Sequence, residues 1–111
     1  MMEFSKVKLV VFAPNENADA VRQALGAAGA GVIGAYSFCS YSSAGIGRFI
    51  PGQSAKPHIG EKNELTTVME HRIEVVCDRA KAKSVLAAMK KVHPYEEVAF
   101  DIYPLIEEAQ L

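Results

Sequence analysis

The sequence contains no tryptophan, only two cysteines and almost no net charge. Its 12 basic and 13 acidic residues give a formal net charge of -1, so charge gives no reason to expect nucleic acid or a membrane as a partner. The apolar run at residues 9–13 is too short for a signal peptide or a membrane span, and we expect a cytoplasmic protein. The cysteines, Cys39 and Cys77, are too few for a disulfide framework and are expected to be free thiols.

Apolar side chains, in contrast, are abundant and regularly spaced. With 111 residues and 50% hydrophobic content, the chain can fill one packed core, so we expect a single domain over residues 1–111. The β-branched run at residues 7–13 predicts a strand, and the apolar residues of 18–28 recur at helical spacing. Aromatic residues alternate with others over 36–41, which predicts a second strand.

The same order of elements returns further along the chain. Apolar residues alternate with others over 73–77, which predicts a strand, and again over 98–103, which predicts a final strand. Between them, the apolar residues of 82–92 recur at helical spacing. An offset of 64 residues, which places Leu9 on Ile73, preserves apolar character at the matched positions. Strand, helix and strand, occurring twice, predict a ferredoxin-like α+β fold, βαββαβ, with an antiparallel sheet.

Two helices can cover only one face of such a sheet. On the other face, Val10 and Phe12 of the first strand and Val76 of the third strand supply apolar side chains. An uncovered apolar sheet face is typical of self-association. We therefore expect a homo-oligomer.

The connection between the two halves, residues 42–67, is predicted to be a projecting loop rich in glycine and proline. We expect Gly45, Gly47 and Gly60 to adopt backbone conformations with positive φ. The loop lacks the third glycine of the dinucleotide fingerprint and the Gly-Lys-Ser/Thr ending of a P-loop, so neither nucleotide motif is present.

Basic side chains outnumber acidic ones in this loop, which makes a small anion a candidate ligand. The basic residues are Arg48, Lys56, His58 and Lys62, against Glu61 and Glu64. The predicted ligand-binding residues are Gly45, Gly47, Arg48, Phe49, Lys56, His58 and Tyr95.

The stretch at residues 93–97 has two interpretations. His93 can complement the dipole at a helix C-terminus while Pro94 ends the helix, which is a structural role. Alternatively, His93 contacts a ligand or forms a divalent metal site with Glu96 and His58. No other cofactor is expected. Glu96 and Glu97 are adjacent and would point to opposite sides of a strand, so they are not expected to act as paired acid and base.

Several motifs together resemble a known family. They are residues 28–31 with 33–36, then 45–51, 57–61, 72–74, and 93–97 leading into 101–104. From about residue 6 to residue 105 the chain resembles the YqfO-type inserted domain of the Ngg-interacting-factor-three-like family, as a stand-alone chain. The resemblance implies a fold like that of CutA and PII signalling proteins, which are trimers that bind metals or small effectors at subunit clefts.

The sequence also departs from the family. The family's outer core, with its two-metal site, has no counterpart here, and Val98 and Phe100 stand where the family usually has proline and tyrosine. We therefore expect a non-catalytic oligomeric binding or regulatory module, with a small anion, metabolite or divalent metal at an inter-subunit cleft and a trimer favoured. The alternative is a protein-interaction domain that docks on a partner such as a separate two-metal family core.

Overall fold

The computed structural model describes residues 3–111, so the first two residues of the predicted domain lie outside the described part. Two helices lie on one face of a four-stranded antiparallel sheet with the strand order β2-β3-β1-β4. The elements are β1 (Lys6–Pro14), α1 (Ala18–Ala27), β2 (Tyr41–Phe49), β3 (Thr66–Asp78), α2 (Ala82–Val92) and β4 (Phe100–Pro104). The predicted α+β class and βαββαβ order are confirmed.

The core forms where alternate side chains of β1 and β3 meet the apolar stripes of the two helices. Strand residues two apart share a face, and residues three or four apart share a helix face, so both patterns point the same side chains inward. The largest fully buried side chains between the layers are Val7, Leu9, Val11, Val21, Leu25, Ile73, Val85 and Met89. Both cysteines are free, as expected, and Cys77 is buried at the edge of this core.

The internal repeat is present in the first part of each half. The short 3-10 turns Asn15–Asn17 and Arg79–Lys81 are related by the same offset of 64 residues, as are the first residues of the helices, Ala18 and Ala82. The correspondence stops after the helices, because Phe100 lies in a strand and Tyr36 does not. The repeat therefore comprises strand, turn and helix.

The predicted second strand at residues 36–41 is wrong. Residues 28–40 form an irregular connection in which Phe38 has a φ of 56° and Ile33 and Tyr36 pair across a tight turn. The real β2, Tyr41–Phe49, pairs along its whole length with β3. Most of β2 lies inside the predicted loop 42–67, so the true connection is residues 50–65.

The sheet face opposite the helices is a mixed surface. Val10 is fully buried there and Phe12 and Val76 are half-buried, so these residues are apolar as predicted but do not form the uncovered face that was expected. Glu74 lies between two cations, with Lys8 Nζ 3.2 Å and Arg72 Nε 3.4 Å from its carboxylate oxygens. These ion pairs give the central part of this face a polar covering.

Over residues 3–111, the helices are too short and too polar to cross a membrane.

Candidate functional site

A cavity of about 390 Å³ lies where the connection 50–65 folds over the corner that follows α2. One wall comes from the end of β2 and the connection, and the other from the corner and the facing strands. The lining includes Phe12, Gly47, Arg48, Phe49, Ala55, His58, Glu70, Tyr95, Glu96 and Glu97. The two sequence stretches predicted to form a cleft between neighbouring chains therefore meet within one chain.

Tyr95 and Glu70 form the polar centre of this cleft. The Tyr95 hydroxyl donates a hydrogen bond to Oε2 of Glu70 over 3.0 Å. Burial, followed by this hydrogen bond and the negative charge of Glu70, raises the pKa of Tyr95 above its ordinary value. The shift favours the protonated phenol, which acts as a hydrogen-bond donor.

Because Gly47 has no side chain, the Glu70 carboxylate can lie directly against it. A Cβ atom at Gly47 would overlap Oε1 of Glu70, whereas a Cβ at Gly45 would have no neighbour within 4 Å. The prediction of positive φ at Gly45 and Gly47 is wrong, because both lie in the extended backbone of β2. At Gly60 it is confirmed, with a φ of 98°. Gly47 thus makes room for a close side chain, and its own backbone conformation does not call for glycine.

The Tyr95 ring also packs beside the end of β2 and the connection 50–65. The Phe49 ring centroid is 6.2 Å from that of Tyr95 in an edge-on arrangement, and the His58 ring is 6.4 Å away and tilted. Beside them, the backbone N–H of Lys56 donates to Oε1 of Glu96 over 2.6 Å. These contacts tie the connection to the corner after α2.

His93 uses both ring nitrogens to hold this corner. The Tyr95 backbone N–H donates to Nδ1 over 3.2 Å, so Nδ1 is the acceptor. Nε2 then carries the proton and donates to the carbonyl oxygen of Phe12 at 2.7 Å. The side chain is 7% exposed and directly follows α2, where its backbone N–H donates to Met89. This is the structural role, extended by two hydrogen bonds that spacing could not predict.

The predicted metal ligands His93, His58 and Glu96 are not assembled as a site within the described chain. Among residues 3–111, no group of three His, Cys, Asp or Glu side chains is placed to hold a metal ion. As the chain is folded here, His93 has no free nitrogen lone pair, and Glu96 accepts the Lys56 N–H. A metal shared between subunits stays a prediction that requires the His93 hydrogen bonds to open.

The other predicted ligand residues divide into two groups. Arg48, Phe49, His58 and Tyr95 line the cleft, whereas Gly45 lies in an exposed part of β2 and the exposed Lys56 contributes its backbone N–H.

Sequence reasoning missed Glu70, the carboxylate at the centre of the cleft. It missed Glu70 because the third strand was predicted to begin at Ile73. Extending that strand's alternation backward would have placed Glu70 on the face that Glu74 shares.

The chain is 56% identical over 98 residues to the GTP cyclohydrolase 1 type 2 homolog of Bacillus subtilis, a match that covers 88% of this chain and 26% of that protein. The homolog from Halalkalibacterium halodurans is 48% identical over 106 residues, covering 96% and 28%. Among solved structures, a Bacillus cereus protein related to NIF3, the Ngg-interacting factor three, superposes with a TM-score of 0.82 at 43% identity, covering 96% of this chain and 27% of that one.

This chain is homologous to one segment of the NIF3-related family. The segment spans about a quarter of the length of the curated relatives. The resemblance to the NIF3-related family is thereby confirmed over nearly the whole chain, although no family model matches it.

Two more distant structures show the fold alone. CutA1 from a psychrotrophic Shewanella superposes with a TM-score of 0.70 at 16% identity, covering 96% of this chain and 86% of that one. The GlnK–ATP complex of B. subtilis superposes with a TM-score of 0.63 at 16% identity, covering 95% and 85%. The NIF3-related segment therefore has the CutA and PII type of ferredoxin-like fold.

Replacing Gly47 by alanine is expected to push the Glu70 carboxylate away from the Tyr95 hydroxyl. Because a half-buried polar pair is then broken, the free energy of unfolding in urea should fall by about 1–3 kcal/mol. Gly45→Ala is the matched control in the same strand, and should change stability by no more than about 0.5 kcal/mol. Equal losses for the two substitutions would show that Glu70 does not depend on the space at Gly47.

Proposed function

We propose that this chain is a non-catalytic binding module that takes a small organic metabolite in the cleft beneath the connection 50–65. The observation that supports this proposal is the cleft itself. Its volume of about 390 Å³ falls in the range of about 300–1,000 Å³ that is typical of small-molecule sites. Its lining combines aromatic and aliphatic walls with a few convergent polar groups, which is the usual composition of such sites.

The charges of the lining favour a neutral or cationic ligand over the predicted anion. Glu70, Glu96 and Glu97 line the cleft, and Arg48 is the one Lys or Arg side chain among the lining residues of the described chain. The two lysines of the loop do not offset these carboxylates, because Lys56 and Lys62 are both exposed outside the lining. The engaged nitrogens of His93 likewise favour an organic molecule over a metal ion.

The polar centre supports binding in preference to catalysis. Burial and Glu70 raise the pKa of Tyr95 further above neutral pH, so its phenol does not ionise readily and is unsuited to act as a base. Its hydrogen bond instead fixes the orientation of the Glu70 carboxylate. A carboxylate held in this way can orient a ligand that donates hydrogen bonds to it.

Filling the cleft should abolish binding without disturbing the rest of the protein. Ala55 lines the cleft, so Ala55→Trp should remove the rise in melting temperature that a bound compound produces. The probes are guanosine, adenosine, pterin, spermidine and zinc ions, each followed by thermal unfolding. Ala87→Trp, on the exposed side of α2, is the matched control and should keep the response. A compound that stabilises all three proteins equally does not occupy the cleft.

We also propose that the chain works as a homo-oligomer, with the trimer that the resemblance implies as the favoured form. The support is the outer part of the β2–β3 hairpin. Ile46 and Met69 are cross-strand partners there, yet they are 63% and 57% exposed. Ile50 and Leu65, next to the hairpin, are also more than half exposed. Apolar side chains clustered on a hairpin are typical of a surface that another chain covers.

Light scattering at micromolar concentration should therefore report more than one subunit. Met69→Lys should weaken the assembly because it places a charge in the proposed contact, whereas Val92→Lys, at an exposed apolar position on α2, should not. A monomeric wild-type protein would contradict self-association. The hairpin would then favour the alternative function, docking on a different protein such as a separate two-metal family core.

A further inference from the structure

We propose that residues 52–62 of the connection form a lid over the cleft, held shut by the hydrogen bond from the Lys56 backbone N–H to Glu96. This inference rests on the proposed binding of a small molecule in the cleft and specifies how access to that site is controlled. A site covered by a chain segment admits its ligand only when that segment moves, and closure afterwards shields the ligand from water.

The connection 50–65 supplies much of the wall of the cleft. Pro51, Ala55 and Ile59 are among its residues that line the cavity, and all three are buried or half-buried. The facing wall includes Tyr95 and belongs to the corner after α2. The core between the sheet and the helices is built from residues outside the connection. Movement of the connection away from the corner therefore opens the cavity while the core stays packed.

Pro51 and Asn63 close the base of the lid. The Asn63 backbone N–H donates a hydrogen bond to the Pro51 carbonyl oxygen over 2.6 Å, and the Asn63 side-chain amide donates to Oε1 of Gln53 over 3.1 Å. Pro51 is buried, and Asn63 has a φ of 64°, a backbone conformation that asparagine adopts more readily than most residues. The chain thus enters and leaves the lid at one point, which we call the neck. A compact loop with joined ends can swing as one body about its neck.

The far side of the lid is hydrogen-bonded at one point. In the part of the chain that the structure describes, the hydrogen bond of 2.6 Å from the Lys56 N–H to Oε1 of Glu96 is the one that joins residues 52–62 to a segment outside the connection. We call this hydrogen bond the latch. Beside it, the His58 ring lies 6.4 Å from the Tyr95 ring. Lys56, His58 and Glu96 are all exposed, so water can replace these contacts when the lid opens.

A closed neck and a single exposed latch give the lid a low cost of opening. Local openings of segments with exposed backbone hydrogen bonds have free energies well below that of global unfolding. Loss of the latch separates the connection from the corner after α2, whereas the neck hydrogen bond can persist. Glu96 thus controls access to the cleft.

Amide hydrogen exchange followed by nuclear magnetic resonance tests the latch and the neck separately. Because the lid opens about its neck, the Lys56 amide should exchange faster than the Asn63 amide, each relative to its rate in an unstructured peptide. Glu96→Ala removes the acceptor and should speed exchange at Lys56 by about tenfold or more, with no change at Asn63. Glu97→Ala removes a carboxylate from the same corner but keeps the latch, and should leave both rates largely unchanged.

A neutral paramagnetic co-solute tests whether the cleft opens with the lid. Ile59 lines the cavity and is half-buried, so its methyl signals should be broadened more strongly in Glu96→Ala than in the wild-type protein. Val85 is fully buried in the core, and its methyl signals should be equally protected in both proteins.

Three outcomes would contradict the lid. Equal increases of exchange at Lys56 and Asn63 would mean that the connection loosens as a whole. Equal effects of Glu96→Ala and Glu97→Ala would mean that Glu96 is not the latch. Unchanged broadening at Ile59 would mean that the far side of the connection moves without opening the cleft.

The lid and the proposed binding of a small molecule can fail independently. The exchange and broadening experiments need no ligand, whereas the binding proposal fails when no probe gives a stabilisation that Ala55→Trp removes. Glu96→Gln keeps a weaker acceptor and should give a smaller increase of exchange at Lys56. This variant also decides the matter if Glu96→Ala does not fold.

Discussion

The hydrogen bond between the Tyr95 hydroxyl and the Glu70 carboxylate organises the whole cleft. It joins the long third strand to the corner after the second helix, two segments that are separated by a complete helix in the chain. The Glu70 carboxylate lies against β2 at Gly47, which has no side chain to displace it. The ring of this phenol lies beside Phe49 at the end of β2 and beside His58 in the connection 50–65.

His93 supports this arrangement from the opposite side. Its imidazole bridges the carbonyl of Phe12 on β1 and the backbone N–H of Tyr95, so the corner is fixed relative to the sheet. Losing a buried group that satisfies two backbone partners costs about 1–3 kcal/mol, which is more than a simple helix stop contributes. The segment 93–97 is therefore informative in the sequence because it builds one wall of the cleft.

Much of the fold could be predicted from the sequence where local pattern and tertiary packing agree. Leu9, Leu25, Ile73 and Met89 recur at strand and helix spacing, and all four are fully buried. The second strand could not be predicted in this way. Residues 41–49 include two glycines, which are poor strand formers, and they form a strand that pairs along its whole length with the long β3.

The residues of the cleft, too, could be predicted only where the local sequence identified them. Arg48, Phe49, His58 and Tyr95 were predicted from motif and charge and do line it. Glu70 was not predicted, because its role depends on pairing between β2 and β3 and on the space at Gly47. The charge surplus of the loop suggested an anion, but only contacts across the fold show that carboxylates outnumber the arginine at the site.

The ionisation of Tyr95 reports on whether its hydrogen bond to Glu70 organises the cleft. The protein can be labelled with ¹³C-tyrosine and titrated to alkaline pH by nuclear magnetic resonance, with the Tyr95 signal assigned by its loss in Tyr95→Phe. Burial and Glu70 raise the pKa of Tyr95, so its phenol should remain protonated at pH 10, about where tyrosine ordinarily ionises. In Glu70→Gln the midpoint should move down, because the negative charge that opposes ionisation is gone. An ordinary midpoint in the wild-type protein, or one that Glu70→Gln leaves unchanged, would contradict a cleft centred on this hydrogen bond.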